Sequence, residues 1–124
     1  MKEKLVSACY LIVGLINFAP LMGVLGQARL SAMYGLGKLS PELLLLLQHR
    51  AVLFGITGGL ILLSVFRTPL RPIAAVMGFI SMAAFLALAY TGATVNDALM
   101  RVVAIDIAAI AILAIGVLLG RKKA

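Results

Sequence analysis

Residues 5–28 read LVSACYLIVGLINFAPLMGVLGQA and contain no charged side chain. A bilayer core is about 30 Å thick, and a helix needs about 20 apolar residues to cross it. This stretch is long enough to form a membrane span, which we place at residues 5–25. It also exceeds the apolar region of a cleaved signal peptide, which is about 7–15 residues long.

Later parts of the chain repeat this apolar character. We predict further spans at about residues 43–66, 72–90 and 97–120. The second span opens at Ser40-Pro41-Glu42, where Ser can cap the helix, Pro fits its first turn and Glu favours its positive end. Pro69 cannot continue that helix, and Asn96 can cap the last one.

The overall composition agrees with a membrane protein. Hydrophobic residues make up 64% of the chain, against roughly 45–50% in soluble domains, so a soluble fold would expose much of the excess as adhesive surface. The net charge of +7 does not indicate a nucleic-acid partner, because the basic residues fall mainly at the ends of apolar runs, as the positive-inside rule requires. The sequence therefore predicts a single transmembrane domain over residues 1–124, with membrane lipids as its neighbours and no nucleic acid.

Short connections after the second and third spans force neighbouring helices to be antiparallel. We predict an all-α membrane protein, an antiparallel up-down bundle of four transmembrane helices. The positive-inside rule then places both ends of the chain in the cytoplasm. The basic residues assigned to the cytoplasmic side are Lys2, Lys4, Arg67, Arg71, Arg121, Lys122 and Lys123, and those on the outer side are Arg29 and Lys38.

The connection over residues 26–39 is the longest one. Leu25, Ala28, Ala32 and Leu36 recur at helical spacing, which predicts a short helix on the outer interface before a Gly-rich turn. Such a segment could act as a lid or as a surface anchor, and the sequence leaves both open.

Polar residues inside the spans are the candidate site. Asn17, Arg50 and Asp106 lie on three different spans, each roughly 10–13 Å below the outer end at a rise of about 1.5 Å per residue. A lone charge at that depth is costly, whereas Arg50 and Asp106 could satisfy each other. Thr57 continues the polar line of Arg50. We predict that these four residues form an interior cluster, which either binds a ligand or only fixes helix packing.

Other candidates are weaker. His49 and Arg101 are predicted to be peripheral, because His49 lies about 100° from Arg50 around the helix and Arg101 is close enough to the surface to reach it. A metal site needs about three or four ligands, and His49 has no second ligand at suitable spacing, so we predict no metal and no cofactor.

Cys9 is the only cysteine and is predicted to be a buried small side chain. No complete catalytic motif is present, which argues against an enzyme without excluding one.

Parts of the sequence resemble a known group. The segments Tyr34-Gly35, residues 44–59 with Gln48-His49-Arg50, and residues 101–106 resemble small bacterial four-helix membrane proteins and, more distantly, the DoxX-like superfamily. That resemblance implies a bacterial inner membrane as the location, and a link to quinone-dependent sulfur oxidation or to membrane redox and stress partners. No redox residue of such proteins is matched here, and Arg50 and Asp106 fall inside the resembling segments.

Three functions therefore stay open. The first is binding of a lipophilic molecule, a quinone or lipid, with Asn17, Arg50 and Asp106 as its polar anchor. The second is a small dimeric proton-coupled transporter in which Asp106 titrates. The third is an accessory or structural subunit of a membrane complex, packed on a second copy or another membrane subunit. The first and third are favoured, because the chain lacks the Glu in the first span and the Trp residues of small drug exporters.

Overall fold

A computed structural model describes residues 1–92 and 95–121. The helices in these ranges are α1 (Lys2–Phe18), α2 (Gln27–Tyr34), α3 (Pro41–Phe66), α4 (Arg71–Thr91) and α5 (Asp97–Gly120). Four segments are long and apolar enough to cross a membrane: Lys2–Leu25, Pro41–Phe66, Thr68–Thr91 and Asp97–Gly120. The predicted fold class is confirmed. Part of the predicted turn before Asn96, and the predicted cytoplasmic residues Lys122 and Lys123, lie outside the described ranges.

The long helices pack as a ring. α1 contacts α3 and α5, and α4 contacts the same two helices, so the order around the bundle is α1, α3, α4, α5. The start of α4 is hydrogen-bonded to the start of α1 and to the end of α3. The end of α5 lies against the start of α1, where Gly120 faces Val6. We call this end of the molecule, which carries Lys2, Arg67, Arg71 and Arg121, the basic end.

The first span changes its helical type halfway. α1 ends at Phe18, and residues Ala19–Leu25 continue as a 3-10 helix. Pro20 has no N–H to donate to the preceding turn and its ring crowds the carbonyl there, which ends the regular α-helix. The segment ends at Leu25, and its last part is wound more tightly than an α-helix.

The helix boundaries follow local capping rules. The Ser40 hydroxyl accepts a hydrogen bond from the Leu43 N–H (3.2 Å), and the Asn96 side chain accepts one from the Leu99 N–H (2.8 Å). Both predicted N-caps are confirmed. α2 ends at Gly35, whose φ of 64° lies in the left-handed region that glycine adopts without strain.

The core lies along the middle of the bundle. Val13, Ile61, Ala74, Ala109 and Leu113 are all completely buried, and each long helix contributes at least one of them. Cys9 is buried next to Gly116, as the sequence predicts. Large apolar side chains on the outer faces are exposed, and in a bilayer these faces contact lipid.

Gly58 lies where α3 approaches the backbone of α1 closely. A Cβ atom at this position would overlap the backbone of α1 at Asn17 and Phe18, whereas one at Gly59 would meet no atom within 4 Å. Small residues that let backbones approach closely are a common basis of helix association in membranes.

We expect Gly58→Ala to lower the melting temperature of the detergent-solubilised protein, because α1 and α3 must move apart. The matched control, Gly59→Ala, should leave it unchanged or raise it slightly, since alanine is favoured over glycine in helices by about 1 kcal/mol. Thermal unfolding followed by circular dichroism measures both. Equal melting temperatures for the two variants would show that the Gly58 contact does not hold the bundle together.

Candidate functional site

Arg50 is half-buried near the middle of α3 and is surrounded by aromatic rings. Its guanidinium carbon lies 4.5 Å from the centre of the Phe54 ring, 5.4 Å from that of Tyr34 and 5.7 Å from that of Phe85. Its Nη1 donates a hydrogen bond to the Tyr34 hydroxyl (3.2 Å). Cation–π attraction of this kind is strongest where water is excluded. Three elements, α2, α3 and α4, thus hold this one cation.

A cavity of about 340 Å³ lies beside Arg50. It is enclosed by the 3-10 segment and by α2, α3 and α5, and we call it the α2 cavity. Its walls are mostly apolar, and its charged lining residues are Arg29, Arg50 and Asp106. The other lining residues are Ala19, Pro20, Met22, Ala32, Met33, Tyr34, Phe54, Val102 and Ile105.

Asp106 shares this cavity with Arg50 without forming an ion pair. Within residues 1–92 and 95–121, Arg71 and Glu3 are the residues whose charged atoms come within 4 Å of each other. No described residue donates a hydrogen bond to the Asp106 carboxylate, although Arg50 lines the same cavity. The two opposite charges face one space, and the contact predicted between them is not made directly.

The other members of the predicted cluster lie elsewhere. Asn17 is buried, but its side-chain amide donates to the Val13 carbonyl of its own helix (2.9 Å) and approaches the Met82 sulfur (3.7 Å). Thr57 lines a separate groove of about 250 Å³ between α3 and α4. Arg50 and Phe54 line both this groove and the α2 cavity. The structure thus brings Arg50 and Asp106 to one cavity, Arg50 and Thr57 to one groove, and leaves Asn17 apart.

The two peripheral candidates are at the surface. His49 and Arg101 are both exposed and line neither the α2 cavity nor the groove. Within the described part of the chain, no group of three or more His, Cys, Asp or Glu side chains could hold a metal ion.

α2 covers one side of the cavity and is attached at several points. The side facing the bundle consists of Leu30 and Tyr34, both buried. The Asn96 amide donates to the Tyr34 carbonyl (2.9 Å), which ties the end of α2 to the start of α5. Gln27 donates to the Gly37 carbonyl (3.1 Å) and accepts from the Leu39 N–H (2.7 Å), which closes the loop after α2.

A second polar cluster, at the basic end, was not predicted from the sequence. Arg71 is 9% exposed and donates to the Ser64 and Val65 carbonyls (3.0 Å each). It also donates to Glu3 (2.9 Å) and to Ser7 (3.1 Å). The Tyr10 ring centre lies 5.3 Å from its guanidinium carbon.

Some sequence signals for these contacts were present. Glu3, Ser7 and Tyr10 recur at spacings of four and three, which places them on one helix face, and this face meets the start of α4. Arg29 was counted only as an outer charge, and the aromatic partners Tyr34, Phe54 and Phe85 looked like ordinary apolar residues. Their grouping depends on helix rotation, which a single sequence does not show.

Comparisons with protein-family models, with curated proteins and with solved structures gave no match. The resemblance to the DoxX-like superfamily therefore stays an expectation. The composition and the apolar helices nevertheless define a class: this is a multi-pass integral membrane protein with four candidate spans.

We expect Arg71→Ala to destabilise the protein by about 3–6 kcal/mol, because its hydrogen bonds to the Ser64 and Val65 carbonyls contribute about 1.5–3 kcal/mol each and the exposed Glu3 contact adds little. The control is Arg67→Ala, which removes an exposed arginine from the same end of the bundle. Unfolding in mixed micelles with increasing denaturant gives both values. A similar small effect for the two variants would mean that Arg71 does not stabilise this end of the bundle.

Proposed function

We propose that the protein binds a lipophilic molecule, a quinone or a lipid, with the polar end of that molecule between Arg50 and Asp106 in the α2 cavity. The observation that carries this proposal is an apolar cavity lined by two opposite charges, Arg50 and Asp106, that do not pair with each other. Binding sites for small molecules are usually of this kind, mostly apolar with a few converging polar groups.

The hydrogen-bonding capacity of Arg50 supports the proposal. A guanidinium group has five N–H donors, and the described residues accept a hydrogen bond from only one nitrogen of Arg50, through Tyr34. The aromatic rings stabilise the charge through their faces but accept no conventional hydrogen bonds. An oxygen atom of a bound molecule would supply the missing acceptor.

The position of the cavity supports entry of that molecule from the bilayer. Met22 and Ile105 line the cavity and are 45% and 48% exposed, so its wall reaches the outer face of the bundle. A molecule dissolved in the membrane can reach such an opening without crossing water. A quinone would also fit the redox role that the resemblance to DoxX-like proteins implies.

Filling the cavity tests the proposal. Val102 is a half-buried wall residue of α5, and Val102→Phe should remove most of the space next to Asp106. Wild-type protein purified in mild detergent should retain a lipophilic molecule that organic extraction and mass spectrometry detect. The variant should retain at most about a tenth as much, which corresponds to about 1.4 kcal/mol of binding free energy.

Met100→Phe is the matched control, since Met100 lies on the same helix, is 50% exposed and does not line the cavity. It should retain as much as the wild type. Equal retention by all three proteins, or no retained molecule in any of them, would contradict the proposal.

We also propose that the protein resides in a bacterial inner membrane with the basic end in the cytoplasm. The described cations at that end are Lys2, Lys4, Arg67, Arg71 and Arg121, against Arg29, Lys38 and Arg101 towards the other end. Basic residues in short connections favour the cytoplasmic side.

Cysteine labelling tests this orientation. In a Cys9→Ala background, Ser40→Cys should react with a membrane-impermeant maleimide in intact cells, whereas Thr68→Cys should react only after the inner membrane is permeabilised. Ser40 and Thr68 are both exposed and lie at opposite ends of α3. The reverse labelling pattern would place the basic end outside.

A further inference from the structure

We infer that the molecule bound in the α2 cavity is a phospholipid whose head carries both a phosphate and a primary amine, with the phosphate at Arg50 and Arg29 and the amine at Asp106. This inference rests on the proposed function and specifies its ligand. It follows from the charges of the cavity and from the groove that adjoins it.

The charges of the cavity select the head group. The lining contains two cations, Arg29 and Arg50, and one carboxylate, Asp106. Arg29 is exposed on α2 and makes no hydrogen bond or ion pair with the described residues, so it is free to bind an anion at the mouth of the cavity. Arginine binds phosphate oxygens well, because its planar donors match their geometry.

Asp106 distinguishes between candidate heads. An ionised carboxylate only accepts hydrogen bonds, and a primary ammonium group offers three donors with a positive charge. A quinone offers carbonyl acceptors to Arg50 but gives no cation to Asp106. A choline head carries a cation without N–H donors, and a glycerol head carries hydroxyl donors without a cation. The phosphate-plus-amine head is the one that satisfies all three side chains.

The groove between α3 and α4 provides a place for an acyl chain. It is lined mainly by apolar side chains, among them Leu53, Phe85 and Leu88. Arg50 and Phe54 form a wall shared by the groove and the α2 cavity. A lipid with its phosphate at Arg50 can therefore place its head in the cavity and a chain along the groove, with Leu88, 71% exposed, at the bilayer face.

A competition experiment tests the head group. Detergent-solubilised protein is incubated with equal amounts of phosphatidylethanolamine, phosphatidylglycerol and phosphatidylcholine of identical acyl chains. After gel filtration, the retained lipids are quantified by mass spectrometry. We expect the wild type to retain roughly tenfold more phosphatidylethanolamine than either other lipid, since one charge-assisted hydrogen bond is worth about that factor.

Variants assign the contacts. Asp106→Asn should abolish the preference while the retained total falls less, and Arg50→Gln should lower retention of all three lipids roughly tenfold. Asp97→Asn is the matched control, because Asp97 is an exposed carboxylate on the same helix and does not line the cavity. It should keep the wild-type preference. Asp106→Ser is used in place of Asp106→Asn if the latter does not fold, as judged by its thermal unfolding.

The outcomes separate this inference from the proposed function. An unchanged preference in Asp106→Asn, a wild-type preference for phosphatidylglycerol or phosphatidylcholine, or displacement of all three lipids by an equal amount of added quinone would overturn the head-group assignment. In those cases the proposed function still stands if Val102→Phe loses the bound molecule. Equal lipid retention by Val102→Phe and the wild type would overturn both.

Discussion

A charged side chain inside a bilayer must find its hydrogen-bond partners within the protein, because hydrocarbon offers none. Two arginines of this molecule meet that constraint in different ways. At the basic end, Arg71 donates to two backbone carbonyls, a carboxylate and a hydroxyl. Near the middle of α3, Arg50 donates to the Tyr34 hydroxyl and otherwise faces aromatic rings and a cavity. All three side-chain nitrogens of Arg71 donate hydrogen bonds, whereas one nitrogen of Arg50 does.

The partners of Arg71 explain why its site is structural. The Ser64 and Val65 carbonyls belong to the last turns of α3, where backbone acceptors have no partner within the helix. Arg71 satisfies them from the start of α4 and reaches α1 through Glu3 and Ser7. One side chain thereby joins three helices at a point where the chain turns, and it leaves few donors for anything else.

Much of the fold could be predicted because it follows from local rules. Residue hydropathy and capping side chains placed the last span at 97–120, and α5 runs from Asp97 to Gly120. Depth along each helix was predictable in the same way, by counting residues from a boundary. This is why Arg50 and Asp106, on different helices, were expected at one level, and the structure places both on one cavity.

The rotation of each helix was not predictable by counting. Asn17 does not line the cavity, and its amide donates instead to the Val13 carbonyl one turn back. The aromatic cage of Arg50 brings together residues from α2, α3 and α4. Such a grouping depends on how three helices face each other, which neither composition nor spacing within one helix determines.

The attachment of α2 links the cavity to the rest of the bundle. Tyr34 accepts a hydrogen bond from Arg50 through its hydroxyl, while its backbone carbonyl accepts one from Asn96 at the start of α5. A group bound to Arg50 therefore acts on the same side chain that holds α2 over the cavity. Two equilibria would then be coupled: binding of a group at Arg50 and attachment of α2 through Tyr34. If binding changes the equilibrium constant for attachment by some factor, attachment changes the affinity for the group by the same factor, because such coupling is reciprocal. The short helix therefore contributes Tyr34 to the wall of the cavity, and Leu30 and Tyr34 are its buried residues.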